Sequence, residues 1–169
     1  DLSDKRRIVV QVWYPSGQET IKKSNYLDNS DKRIRPIAEQ FSQLGVSPKL
    51  VSFLMADVKN VKTNSELNAE ISSDELQKYP LIIFSHGLGG MKVQNTIQVE
   101  ELVSQGYIVV APDHSYDANI TIFSNNDIAS FKSAEYDETV EYSIEDFYSY
   151  RIPQIMTRSA DISFIINEI

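Results

Sequence analysis

The sequence predicts an α/β fold, a mostly parallel sheet flanked by helices. Two stretches carry this reading. Residues 81-LIIF-84 are a short apolar run that breaks into the glycine-rich turn 85-SHGLGG-90. Ile97, Val99, Leu102 and Val103 follow at helical spacing until Gly106, and 107-YIVVAPD-113 is a second continuous apolar run. Strand, helix and strand within about 33 residues form a βαβ unit, whose crossover makes the strands parallel and covers both faces of the sheet. The second stretch is 8-IVVQVWYP-15, β-branched, aromatic and closed by a proline, which reads as a further covered strand.

The remaining elements follow in chain order. Residues 16–30 are rich in Gly, Ser, Asn, Asp and Lys, a loop composition. Ile34, Ile37, Phe41 and Leu44 share one helical face that stops at Gly45, and Leu50, Phe53, Leu54 and Val58 form a second after Pro48. Residues 31–58 are thus expected to be a helical insertion on the core, and the polar stretch 59–78 a long connection back to it. Beyond Asp113, the stretch 114–127 and the acidic, tyrosine-rich 135–150 are expected at the surface, with 119–150 a candidate lid. A last helix is expected to open in the turn containing Pro153 and to present Ile155, Ile162, Ile166 and Ile169 on one face. That apolar face runs to the final residue, so the sheet is expected to be incomplete at the C-terminal side. With 169 residues and 41% hydrophobic content, residues 1–169 fit one domain.

Charge and composition restrict the chemistry. The net charge is −8, and it is uneven: residues 1–85 carry 12 Lys/Arg against 11 Asp/Glu, while residues 86–169 carry 4 against 13. A nucleic-acid partner needs a basic face, and the local cluster 32-KRIR-35 reads instead as solvated surface. Cysteine is absent, so no disulfide frame or thiolate metal site is expected, and two histidines 28 positions apart do not make a metal site. No apolar run reaches the ~18 to 20 residues of a membrane-spanning helix.

The turn 87-GLGG-90 is the candidate functional motif, and it admits several occupants. A dinucleotide reading uses Gly87, Gly89 and Asp113, which ends the next strand 24 residues after Gly89; the third glycine of G-x-G-x-x-G would fall on Lys92. A phosphate loop of the G-x-x-x-x-G-K-[ST] type does not occur. In an oxyanion reading the sharp turn after a strand aims a backbone N–H at a developing negative oxygen, and glycines keep Cβ atoms out of the approach. The bland reading is a tight strand-to-helix turn.

The run 78-KYPLIIFSHGLGG-90 resembles the oxyanion-loop region of the α/β-hydrolases and, among them, the platelet-activating factor acetylhydrolase-like enzymes. Three further segments are similar in order and spacing: 7-RIVVQVWYP-15, 104-SQGYIVVAPDHSYDA-118 and the helix 158-RSADISFIINEI-169. The likeness is weaker over 16–58 and 119–150. It implies an α/β-hydrolase-type sheet and a serine ester hydrolase acting on a short acyl or lipid ester without a cofactor. Leu88 would supply one oxyanion N–H, within a loop made of His86, Gly87, Gly89 and Gly90. His114 is a possible lining residue, and Arg158 and Asp161 would support the fold near the nucleophile strand. The family is often exported, which leans the expectation toward a secreted or cell-surface protein.

The departure from the family is the nucleophile. Its G-x-S-x-G does not occur; Gly45-Val46-Ser47 is followed by Pro48-Lys49, between two helices. The resemblance therefore implies that the remaining C-terminal part of the hydrolase fold would supply the serine, acid and histidine. A non-catalytic relative that binds without turnover is the rival from another class.

Overall fold

The computed structural model describes residues 5–17, 19, 21–42, 44–71, 78–132 and 143–169. The elements are β1 (Val9–Trp13), β2 (Lys23–Asn25), α1 (Ser30–Ser42), α2 (Pro48–Leu54), a 3-10 turn (Ala56–Asn60), β3 (Lys62–Glu66), β4 (Leu81–Ile83), α3 (Thr96–Ser104), β5 (Ile108–Asp113), β6 (Ile120–Ile122), β7 (Ile128–Ser130) and α4 (Ile144–Glu168).

The βαβ unit forms as the pattern requires. β4 and β5 pair in parallel with Ile82 opposite Val109, and α3 makes the crossover. Gly106 ends α3 at φ 89°, and the Gly106 and Tyr107 N–H groups donate to the carbonyls of Val103 and Leu102. Only a residue without Cβ takes that left-handed position cheaply, and the reversed bonds satisfy carbonyls that the helix end leaves open. Val99 turns inward as expected, whereas Ile97 points to solvent.

The main sheet has the order β1-β5-β4, with β1 antiparallel to β5, so the α/β class holds and the sheet is mixed. β5 is flanked on both sides, and Val109 through Asp113 are buried. β1 lies at an edge: Trp13 is buried while Val10 and Val12 are exposed, so it is covered on one face rather than two. Trp13, Leu27, Ile37, Val93, Val99, Val109 and Ala111 form the core. Among the described residues neither β1 nor β4 has a second strand neighbour, and Leu81 stays 45% exposed.

A buried charge cluster fastens α1 to the end of β5. Arg33 and Asp113 are both 0% exposed. Arg33 donates to the Ile120 carbonyl at 2.8 Å and to the Asp113 carboxylate at 3.3 Å; Lys92 reaches Asp28 at 3.0 Å, and its backbone N–H donates to Asp113 at 2.7 Å. Within 32-KRIR-35, then, Arg33 is a core residue, contrary to the solvated reading. Its charged neighbours Lys32 and Arg35 disguise it: a guanidinium is buried only where carboxylates and carbonyls meet its donors, and Asp113 and Ile120 lie far away in sequence.

Two other expectations change. Residues 117–122 are buried rather than at the surface, because Ala118, Ile120 and Ile122 turn inward as the β6–β7 hairpin forms. The acidic stretch 133–142, the middle of the candidate lid, lies outside the described residues. α4 starts at Ile144, well before Pro153, behind a capping box in which Ser143 Oγ accepts the Asp146 N–H and the Asp146 carboxylate accepts the Ser143 N–H. Its inward face is Asp161 and Ile165, while Ile155, Ile166 and Ile169 are exposed. The helix is docked by its polar residues, which a count of apolar spacing cannot foresee.

Candidate active site

The parallel strand β4 delivers Ser85 and His86 to the start of the turn 87–90. Gly89 sits at φ 70°, and a Cβ there would meet the side-chain amide of Gln40 from α1. The turn is held from outside as well: the Gly89 N–H donates to the Asp117 carbonyl at 2.8 Å and the Asn119 N–H to the Gly90 carbonyl at 2.8 Å. The segment after β5 therefore grips the turn from the side, a contact between stretches about 28 residues apart.

The peptide between Gly87 and Leu88 is fixed more tightly still. The Gly87 carbonyl accepts the Gly90 N–H at 2.9 Å and faces His86 Nδ1 at 2.6 Å. The other ring nitrogen of His86, Nε2, accepts the backbone N–H of His114 at 3.1 Å, which leaves the proton on Nδ1 and makes that nitrogen the donor to Gly87. In a planar trans peptide the N–H points opposite to the C=O. Clamping the Gly87 carbonyl inward thus turns the Leu88 N–H outward, and among the described residues it meets no acceptor.

A chain of polar contacts ties β4 to α4. His114 Nδ1 lies 2.8 Å from the Asp161 carboxylate, and His114 Nε2 lies 3.0 Å from Ser85 Oγ. Arg6 grips Asp161 with two bonds, at 2.6 and 2.8 Å. Arg158 donates to Ser85 Oγ at 2.9 Å and to the His86 carbonyl. The two imidazoles are neighbours, 5.3 Å between centroids. His114 is wholly buried behind Ser85, so its ring lines no open surface, which corrects the expectation for it. Of the residues singled out in the sequence, His86, Gly87, Leu88, Gly89 and Gly90 come together in one turn, and Arg158 and Asp161 support it. Ser85 and Arg6 were missed. Ser85 lay within the quoted motif, but nothing in the sequence links Arg6 to Asp161, 155 residues away.

Burial depresses the pKa of His86 below its ordinary 6.5, helped by the nearby Arg158 charge and opposed by the Gly87 bond and Asp113. For Asp161 burial acts upward, but Arg6 and His114 prevail and hold the carboxyl below its ordinary 3.8. In both cases the unfolded chain takes up a proton at higher pH than the folded one. The stabilisation is therefore complete above the ordinary value and is lost as pH falls through the window below it. Protonating His86 would also set an Nε2–H against the His114 N–H. The thermal midpoint is expected to fall as pH drops below 6.5 and to fall again below 3.8. Differential scanning calorimetry across that range checks this; a midpoint flat down to the carboxylate range would contradict the role given to His86.

The arrangement does not suit a dinucleotide. Asp113, which would have to meet a ribose, is wholly buried and already engaged by Arg33 and the Lys92 N–H, and Lys92 occupies the third glycine position with its ammonium on Asp28. Among the described residues no group of three or more His, Asp or Glu side chains could hold a metal ion.

A mixed sheet whose parallel strand ends in a glycine turn, followed by a crossover helix, is an α/β arrangement that the α/β-hydrolases share. The solved ferulic acid esterase from Streptomyces cinnamoneus superimposes with a TM-score of 0.62 at 21% identity, covering 96% of this chain and 38% of the esterase. The chain belongs to the family described as platelet-activating factor acetylhydrolase, isoform II, whose model matches residues 2–169. It is 28% identical over 169 residues to the platelet-activating factor acetylhydrolase of Canis lupus familiaris, covering 94% of this chain and 35% of that protein. To the Cavia porcellus enzyme of the same name it is 33% identical over 106 residues, covering 62% of this chain and 23% of that protein. The chain thus spans about a third or less of the curated relatives it matches.

Proposed function

We propose that these residues are the oxyanion-turn portion of a serine ester hydrolase of the platelet-activating factor acetylhydrolase type, acting on a lipid or other short-acyl ester. The observation that carries the reading is the Leu88 N–H: it projects without an acceptor from a peptide whose carbonyl is clamped on the other side. Such a donor binds most strongly when a carbonyl oxygen becomes an oxyanion, so its effect falls on the transition state rather than on bound substrate. Because the donor is already oriented, little reorganisation is needed when charge develops.

The nucleophile is assigned to polypeptide outside these 169 residues. In support, no G-x-S-x-G occurs in the sequence, the edge of β4 is free among the described residues, and the relatives are about three times longer. A serine strand on that edge would stand beside the turn, with the second oxyanion donor following the serine.

Fluorophosphonate labelling followed by peptide mapping tests the proposal. A form of the protein extending beyond Ile169 is expected to take one label on a serine outside residues 1–169, while the 169-residue chain shows no ester turnover above background. Inhibitor-sensitive hydrolysis by the 169 residues alone would overturn the assignment. An extended form that takes no label would favour a binding protein without turnover.

A further inference from the structure

Ser85, His114 and Asp161 are spaced as an acyl-transfer triad is, at 3.0 and 2.8 Å, yet their surroundings assign them different work. Arg158 donates to Ser85 Oγ, so one of the lone pairs a nucleophile would use is tied to a cation, and the same guanidinium nitrogen also bonds the His86 carbonyl. The geometry points to a positioning relay: Asp161 fixes the His114 tautomer, His114 orients the Ser85 hydroxyl, and Ser85 with Arg158 sets the His86 peptide from which the oxyanion turn departs. This inference rests on the reading of Leu88 as an oxyanion donor.

The chemistry runs in one direction along the relay. Asp161, held by two bonds from Arg6, accepts the proton-bearing Nδ1 of His114. That leaves Nε2 of the neutral ring as an acceptor, so the Ser85 hydroxyl donates to it and turns a lone pair toward Arg158. Arg158 is steadied on its other side by Asp117 at 3.9 Å, and the Asp117 carbonyl is the acceptor for the Gly89 N–H. One guanidinium therefore meets the turn at its entry and, through Asp117, near its apex. His86 closes the circuit, since its Nε2 is bonded to the backbone of His114 while its Nδ1 holds Gly87. Helix α4 thereby sets the direction of the Leu88 N–H without touching it.

Two readouts separate this relay from simple structural support. The first needs no catalysis: in the 169-residue chain carrying 15N-histidine, long-range proton–nitrogen correlation is expected to show His114 protonated at Nδ1 and bare at Nε2. Asp161→Asn should move the ring toward the other tautomer, because an amide can offer its NH2 to Nδ1. Ser85→Ala should lower the backbone order parameters of Gly87 and Leu88, and Ser85→Thr, which keeps the hydroxyl, should restore them. A wild-type His114 protonated at Nε2, or unchanged order parameters in Ser85→Ala, overturns the relay whether or not any form of the protein hydrolyses esters.

The second readout uses an ester-hydrolysing extended form. Ser85→Ala is expected to lower kcat on the order of 10 to 100-fold with KM little changed, as for loss of alignment at a reacting centre, and Ser85→Thr to recover most of it. A fluorophosphonate label mapped to Ser85 would overturn the proposal by making that serine the nucleophile. If no extended form turns over ester, the hydrolase reading fails, and the tautomer and order-parameter measurements still decide the relay.

Discussion

Leu88→Pro is expected to lower kcat by about 100 to 1000-fold in an extended, ester-hydrolysing form of the protein, the loss that follows removal of one oxyanion donor. Proline deletes the N–H that Leu88 presents outward and leaves the clamped Gly87 carbonyl in place. Glycine precedes it, the residue least restricted by a following proline. The comparison that matters is with Leu88→Ala, which shortens an exposed side chain but keeps the amide. Steady-state kinetics on a short-acyl ester should show the alanine variant losing at least about tenfold less activity than the proline variant. Equal losses would mean that the leucine side chain, not the backbone, is what the site uses.

Arg33→Met is expected to destabilise the fold by about 3 to 5 kcal/mol, because it strips a wholly buried carboxylate of its guanidinium. Lys92 remains nearby, but at 3.8 Å from Asp113 with its ammonium committed to Asp28, it replaces little of what is lost. In a chain of this size that loss corresponds to a drop in thermal midpoint of roughly 6 to 20 °C. Adding Asp113→Asn to Arg33→Met should recover part of it, since asparagine keeps an acceptor for the Lys92 N–H and brings no charge. Thermal denaturation of the two single variants and the double variant gives the coupling; strictly additive losses would show that Arg33 and Asp113 do not act as a pair. The cluster also bears on the site, because Gln40 lies on the helix that Arg33 anchors and bonds Asn119, whose N–H holds Gly90.

The parts legible in the sequence are those written in short-range pattern. The apolar runs at 81–84 and 107–113, the glycine stop at 106 and the turn 87–90 specify a βαβ unit through spacing alone, and that unit carries the Leu88 amide. What escaped was long-range and polar. Arg33 looked like a surface charge because its partners Asp28, Asp113 and Ile120 converge only after folding. The isoleucine spacing of helix α4 points to an apolar seat, yet Arg158 and Asp161 seat it, and three of those four isoleucines face outward. Pro153 suggested a helix start; the capping box at Ser143 sets the start instead, and the helix carries the proline in its interior.

His114 shows the same limit within the site. Its place after β5 suggested a residue lining the ligand space, since α/β sheets bind ligands beyond the carboxyl ends of their strands. The structure buries it, and it meets Ser85 on one side and Asp161 on the other. Position along a strand indicates the end of the sheet a residue reaches; whether it faces ligand or neighbour depends on the helix that covers it.

The most direct test of the central claim reads the Leu88 amide itself. A proton–nitrogen correlation spectrum of the extended protein is recorded before and after reaction with a fluorophosphonate, whose serine adduct places a strongly polarised phosphoryl oxygen where the oxyanion would form. The Leu88 amide proton is expected to move strongly downfield on adduct formation as it gains an acceptor, while the Gly90 amide, already bonded to Gly87, moves little. A Leu88 resonance unchanged by the adduct would contradict the claim that this turn is an oxyanion site.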